Sequence, residues 1–273
     1  MASVAAVSPR VRVWIVVAVA ALAAAGAAVG VTLATRSHVE TTRVRPPALD
    51  FDIDPTAPVA LRREVKRAFD AWPAATIRRL RVLAGRHPGS AFVRLELGVA
   101  LELLRQHSDA VAAWREAERV QPDSPSAVDA QDLRFPRTPR GLPPFVPSFT
   151  RARTPVERFL VKGALLQQQL LPVSAERQFA AAASAAPNNP EALTAAAVGL
   201  YDKDRPALAF SRLGPLTRRF PQSQTVRFHL GLLLIYFGDL PRARRELALA
   251  RAEGPRTRLG QRADTLLKAG GKD

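Results

Sequence analysis

The chain has 273 residues, with 40 Lys and Arg against 24 Asp and Glu, a formal net charge of +16, and no Cys. Without thiols it makes no disulfide, thiolate metal centre or Cys nucleophile. The excess of base favours an anionic partner such as lipid headgroups, nucleic acid or an acidic protein, while a solubilising surface accounts for the charge equally well. With only two Tyr and three Trp there is little to stack bases on, which disfavours nucleic acid.

From Val13 to Leu33 the sequence runs 21 residues without a charge, about 31 Å as a helix at roughly 1.5 Å per residue. This predicts a tail over residues 1–12, a transmembrane helix acting as a signal anchor over residues 13–35, and an extended linker over residues 36–56. The apolar run is longer than that of a cleaved signal peptide, and no Cys follows it for lipid attachment. Arg10 and Arg12, tight against the apolar edge, favour an inward N-terminus. The expected location is therefore the cell membrane, single-pass, in contact with the bilayer through residues 13–35 and with the bulk of the chain extracytoplasmic.

In the linker Pro46-Pro47 favours extended backbone. Asp50, Asp52 and Asp54 alternate with Phe51 and Ile53 like the opening of a calcium loop, but Pro55 stands in the place of its Gly and Leu61 in that of its Glu. An acidic extended segment docking on the first repeat fits these residues better.

Beyond residue 57 the punctuation becomes regular. Prolines stand at 88, 122, 187, 221 and 255, with gaps of 34, 65, 34 and 34 residues, and a fixed period of this size marks a solenoid. Between 91 and 124, Leu97, Val99, Leu101 and Leu104 place apolar groups on a first helix. Gly98 lets a neighbouring helix approach it closely. Ser108 or Asp109 would cap a second helix carrying Ala110, Trp114 and Ala117, and Pro122 ends it. Two such helices bury too little alone, so stacked neighbours must complete the core.

Leu97-Gly98, Leu101, Ala110, Trp114, Ala117 and Pro122 stand where the tetratricopeptide repeat places its signature residues. The chain resembles that family over residues 57–257. The resemblance implies an all-α fold after the anchor, an α-solenoid of helix-turn-helix units beginning at 57, 91, 156, 190 and 224. It makes units one and two of residues 57–124, a Pro-rich insert of residues 125–155, and units three to five of residues 156–257. A capping helix over residues 258–268, with Leu259, Ala263, Leu266 and Leu267 as its apolar stripe, precedes a tail over residues 269–273. Unit one departs from the pattern with Arg63-Glu64 in place of Leu-Gly. Unit four has Gly214-Pro215 inside its second helix, which predicts a kink or a restart there.

The insert carries prolines at 125, 136, 139, 143, 144, 147 and 155, which leave room for a short helix over Ser126 to Leu133. Two readings fit the remainder: a polyproline ligand for a partner, or a segment that folds back on the solenoid through Phe135, Leu142, Phe145, Val146 and Phe149. Five large apolar residues favour the second.

Of the four His, at 38, 87, 107 and 229, none has a second His or a carboxylate at metal-binding spacing. With no phosphate-cradling loop or nucleophile elbow either, neither an enzyme nor a cofactor is expected. The resemblance instead implies a scaffold or adaptor that holds a protein or peptide partner in the concave groove. The positions that line it are Phe92, Leu95 and Glu102 in unit two, Glu157, Gln167 and Gln168 in unit three, Glu191, Tyr201 and Asp202 in unit four, and Phe228 and Tyr236 in unit five. The alternative is a basic surface of Arg62, Arg63, Lys66, Arg67, Arg78, Arg79 and Arg81 facing anionic lipid headgroups, an envelope polymer or nucleic acid.

Overall fold

The computed structural model describes residues 54–270, which form twelve α-helices and no strand. They are α1 (Val59–Phe69), α2 (Thr76–Arg86), α3 (Ala91–Leu103), α4 (His107–Val120), α5 (Pro125–Arg134), α6 (Pro155–Gln168), α7 (Pro172–Ala185), α8 (Pro190–Gly199), α9 (Ala207–Arg219), α10 (Gln224–Phe237), α11 (Leu240–Glu253) and α12 (Arg258–Ala269). Successive helices pair as hairpins that stack side by side, giving a tetratricopeptide-like helical repeat.

The punctuation works through two residues acting together. A phased proline stops each second helix, and two residues later Ser90, Ser124, Asn189, Ser223 or Thr257 takes the N-cap of the next. Four of these five accept a backbone N–H from the first turn, which satisfies a donor the helix cannot satisfy itself. Within the hairpins, a Cβ added to Gly98 would lie 2.3 Å from Trp114 Nε1, and one added to Gly163 would lie 2.3 Å from Phe179 Cε1. Large residues of the second helices thus pack directly on backbone of the first, and Trp114 Nε1 donates to the Leu95 carbonyl at 3.3 Å.

The expected transmembrane helix over residues 13–35 lies outside the described residues. Among the described residues no helix is long and apolar enough to cross a membrane. These helices have 10 to 14 residues, so the longest reaches about 21 Å, short of a hydrocarbon core of about 30 Å. The fold is accordingly corrected to an all-α repeat in which no described helix spans a membrane, and the single-pass cell-membrane location is withdrawn with it.

In unit four the helix does not restart at Gly214-Pro215, since α9 runs through Pro215. Pro215 is exposed.

The 65-residue gap has a structural explanation. One period after Ala91 falls on Pro125, where α5 begins with Ser124 as its cap, and α5 packs on α3 and α4 as the first helix of a further unit would. No second helix follows it. Residues 135–154 instead cross to the inner face of α6, α8 and α10.

Candidate functional site

The segment enters this face through a polar lock. Asp132, at the end of α5, accepts the Gly141 N–H at 2.8 Å and pairs with Lys203 Nζ at 2.5 Å. The buried ammonium also donates to the Pro139 carbonyl at 2.8 Å. Gly141 takes φ +70°, a left-handed turn that suits glycine. Beside the lock, Arg134 bridges Glu118 of α4 at 2.6 Å and Asp204 after α8 at 2.5 Å. Burial pushes the Glu118 carboxyl up, and Arg134 only partly offsets it. Gln131 donates to Asp202 at 3.0 Å. At the far side Asp123 accepts the N–H and hydroxyl of Ser174 in the first turn of α7, at 3.0 and 2.6 Å.

Between 143 and 148 the segment has three prolines, Pro143, Pro144 and Pro147, which have no N–H. Each of the three remaining N–H groups goes to a side chain of the solenoid. Phe145 donates to Gln167 Oε1 at 2.8 Å, Val146 to His229 Nε2 at 2.9 Å, and Ser148 to Glu191 Oε1 at 2.6 Å. The Ser148 hydroxyl adds a bond to Glu191 Oε2 at 2.7 Å. Tyr236 Oη donates to the Arg140 carbonyl at 3.4 Å and Arg258 to that of Phe149 at 3.3 Å. An extended segment makes no ladder of its own, so a face that meets every donor is what allows it to be buried.

Side chains complete the fit. The Phe145 ring meets Phe179 edge to face at 5.3 Å and stacks on His229 at 4.9 Å. Val146 packs with Phe228 and Leu232. Because His229 Nε2 accepts from Val146, its proton lies on Nδ1, which donates to the Thr225 carbonyl at 2.7 Å. Burial holds this imidazole neutral by lowering its pKa to about 4, against a smaller opposing effect of the Thr225 carbonyl. Glu191 is pushed the other way, its carboxyl raised by burial even though Ser148 bonds to it.

The residues expected to line a groove fall into three groups. Gln167, Glu191, Phe228 and Tyr236 converge on the segment. Tyr201, its hydroxyl pushed up to about 12 by burial, packs edge to face on Tyr236 at 6.0 Å, and Asp202 anchors α5 beside it. Glu157 and Gln168 stand apart. Glu157 closes a capping box with Thr154, whose N–H and that of Arg153 lower its pKa, while Gln168 is exposed. In unit two Phe92 and Leu95 are core residues, 1 % and 2 % exposed, and Glu102 is taken by His107 Nδ1 at 2.9 Å.

Sequence reasoning passed over His229, which it weighed only as a metal ligand. Its signal was a polar ring in a buried slot of a repeat helix. Among the described residues no group of His, Cys, Asp and Glu could hold a metal ion.

The first half has a related contact. Asp54, 1 % exposed, accepts the N–H of Ser126 at 3.3 Å and also its hydroxyl, at the second residue of α5. A carboxylate there suits the helix dipole. The linker thus docks on α5 through its last aspartate; Phe51 and Ile53, expected to dock on the first repeat, lie outside the described residues. Of the basic surface, Arg63, Lys66, Arg67, Arg78, Arg79 and Arg81 are exposed on α1 and α2, while Arg62 is half-buried.

No protein-family model matches the sequence, and no curated protein matches it. Two solved structures are similar to it, those titled MamA RS-1 ArsTM double mutant and MamA 41-end from Desulfovibrio magneticus RS-1. Each is 16% identical, with 78% of this chain and 96% of the other covered, at a TM-score of 0.27. At that score the likeness decides nothing further, and the helical-repeat fold rests on the period, caps and hairpins of the chain itself.

Proposed function

We propose that this protein is a helical-repeat scaffold that recruits a protein partner by holding an extended segment of it in the groove of α6, α8 and α10. One observation carries the reading: that face supplies an acceptor for every N–H of residues 143–148 and an aromatic seat for Phe145. Side chains that read backbone donors recognise an extended peptide as a class, and the aromatic seat selects within the class. Gln167, Glu191 and His229 are the reading groups, with Phe228 and Tyr236 beside them. Tyr201 and Asp202 flank the groove, and Glu157 and Gln168 stand apart from it.

The test uses the full chain with Phe145→Ala, which empties the aromatic seat, and a labelled synthetic peptide of residues 141–150. Binding in the micromolar range, weakened about tenfold by Gln167→Ala, is the expected result. A peptide that does not bind once the aromatic seat is empty overturns the reading. In the unaltered chain the tethered segment competes at an effective concentration on the order of millimolar, so binding there should be far weaker.

A second reading, an anionic partner on α1 and α2, is favoured by six exposed basic side chains, of which Arg81 pairs with Asp109 at 3.6 Å. Affinity for a polyanion such as heparin that falls steeply with salt, and falls again in Arg78→Ala/Arg79→Ala, would support it.

A further inference from the structure

This inference rests on the groove reading and concerns what the groove takes from another molecule. The segment of residues 139–148 runs antiparallel to α8, since Lys203 beyond the helix holds Pro139 while Glu191 in its first turn holds Ser148. Thr194 lies one turn along from Glu191, on the same face. That turn is about 4.5 Å of helix, the length of one to two extended residues, which brings Thr194 level with Val146 and Pro147.

Thr194 is 0 % exposed, and its Oγ1 has no hydrogen-bond partner among the described residues. A buried hydroxyl left in this state destabilises the closed groove. The segment explains why. Val146 has already given its N–H to His229, and Pro147 has none to give. On this course the chain's own segment offers Thr194 no N–H.

We propose that the groove takes, from a partner, a segment of the same extended, aromatic-bearing kind with a residue other than proline in the place of Pro147. Its additional N–H is received by Thr194, and it displaces residues 139–150, which act as a tethered competitor. Tethering gives the chain's own segment its advantage in concentration, and the missing hydrogen bond gives the partner its advantage in fit.

Two peptides test this, one with the sequence of residues 141–150 and one differing only by Ala in the place of Pro147. Against the full chain carrying Phe145→Ala, the Ala peptide should bind about three- to tenfold more tightly. Against the same chain with Thr194→Val added, the preference should vanish. A preference that survives Thr194→Val, or its absence at the start, overturns the role of Thr194 and leaves the groove reading standing. Failure of both peptides to bind overturns the two together. Should Phe145→Ala prevent folding, the same cycle is run inside the otherwise unaltered chain. There Pro147→Ala should slow hydrogen exchange at Phe145 and Val146, and should fail to do so beside Thr194→Val; equal exchange in both backgrounds overturns the proposal.

Discussion

The N–H of Val146 is held by Nε2 of His229 at 2.9 Å, across 83 positions of sequence. The bond exists only while that nitrogen is unprotonated, so it joins the insert to the last repeat through a titratable group. The folded pKa of about 4 lies below the ordinary 6.5. The stability it contributes is complete above pH 6.5 and is lost as pH falls from there through 4. Glu191 works against this, because burial makes it bind a proton more readily in the folded chain. The comparison with His229→Gln, which keeps an acceptor without titrating, isolates the imidazole. Wild type should lose melting temperature and protection at Val146 between pH 6.5 and 4 relative to the variant. Parallel profiles would show that His229 does not titrate at this contact.

The glycines of the helices divide by what stands over them. Gly163→Ala drives a methyl group into the Phe179 ring and should cost about 1 to 3 kcal/mol. Gly85 in α2 has nothing within 4 Å of its added Cβ, so Gly85→Ala should gain roughly 0.5 kcal/mol. Urea melts of the two variants read both values.

Lys203 buries its ammonium, 1 % exposed, against Asp132. Lys203→Met removes the cation and leaves the largely buried Asp132 carboxylate with the Gly141 N–H alone among these partners. A loss of about 3 kcal/mol is expected, with a smaller loss when Asp132→Asn is added. Equal losses would mean that the pair is not coupled.

Pro215 occupies an exposed position inside α9 and denies the helix one hydrogen bond. Pro215→Ala should raise stability by about 1 kcal/mol or more. A loss in thermal melts would give the ring a structural role.

Much of this architecture was legible from residue types at a fixed period. Gly98 with Trp114, and Gly163 with Phe179, are pairs set 16 residues apart, and such spacing is local enough for a linear pattern to encode. The destination of residues 135–154 was not. The apolar count at Phe145, Val146 and Phe149 argued that the segment would be covered, yet no periodicity links Phe145 to Gln167 or Val146 to His229. Those bonds depend on three helices from three different units converging on one strip of backbone. For the same reason the groove positions could be named by register while their occupant could not.

By itself the sequence determined the period and the hairpins, because each rests on contacts within about one repeat. The cap it placed at Ser108 or Asp109 does not form, since α4 begins at His107 after Gln106 with no side-chain cap. Only the tertiary structure decided that the inner face of α6, α8 and α10 holds the chain's own extended segment. Hydrogen bonds from an irregular segment to distant side chains are set by where the stacked repeats bring those side chains, and stacking geometry is a property of the whole array.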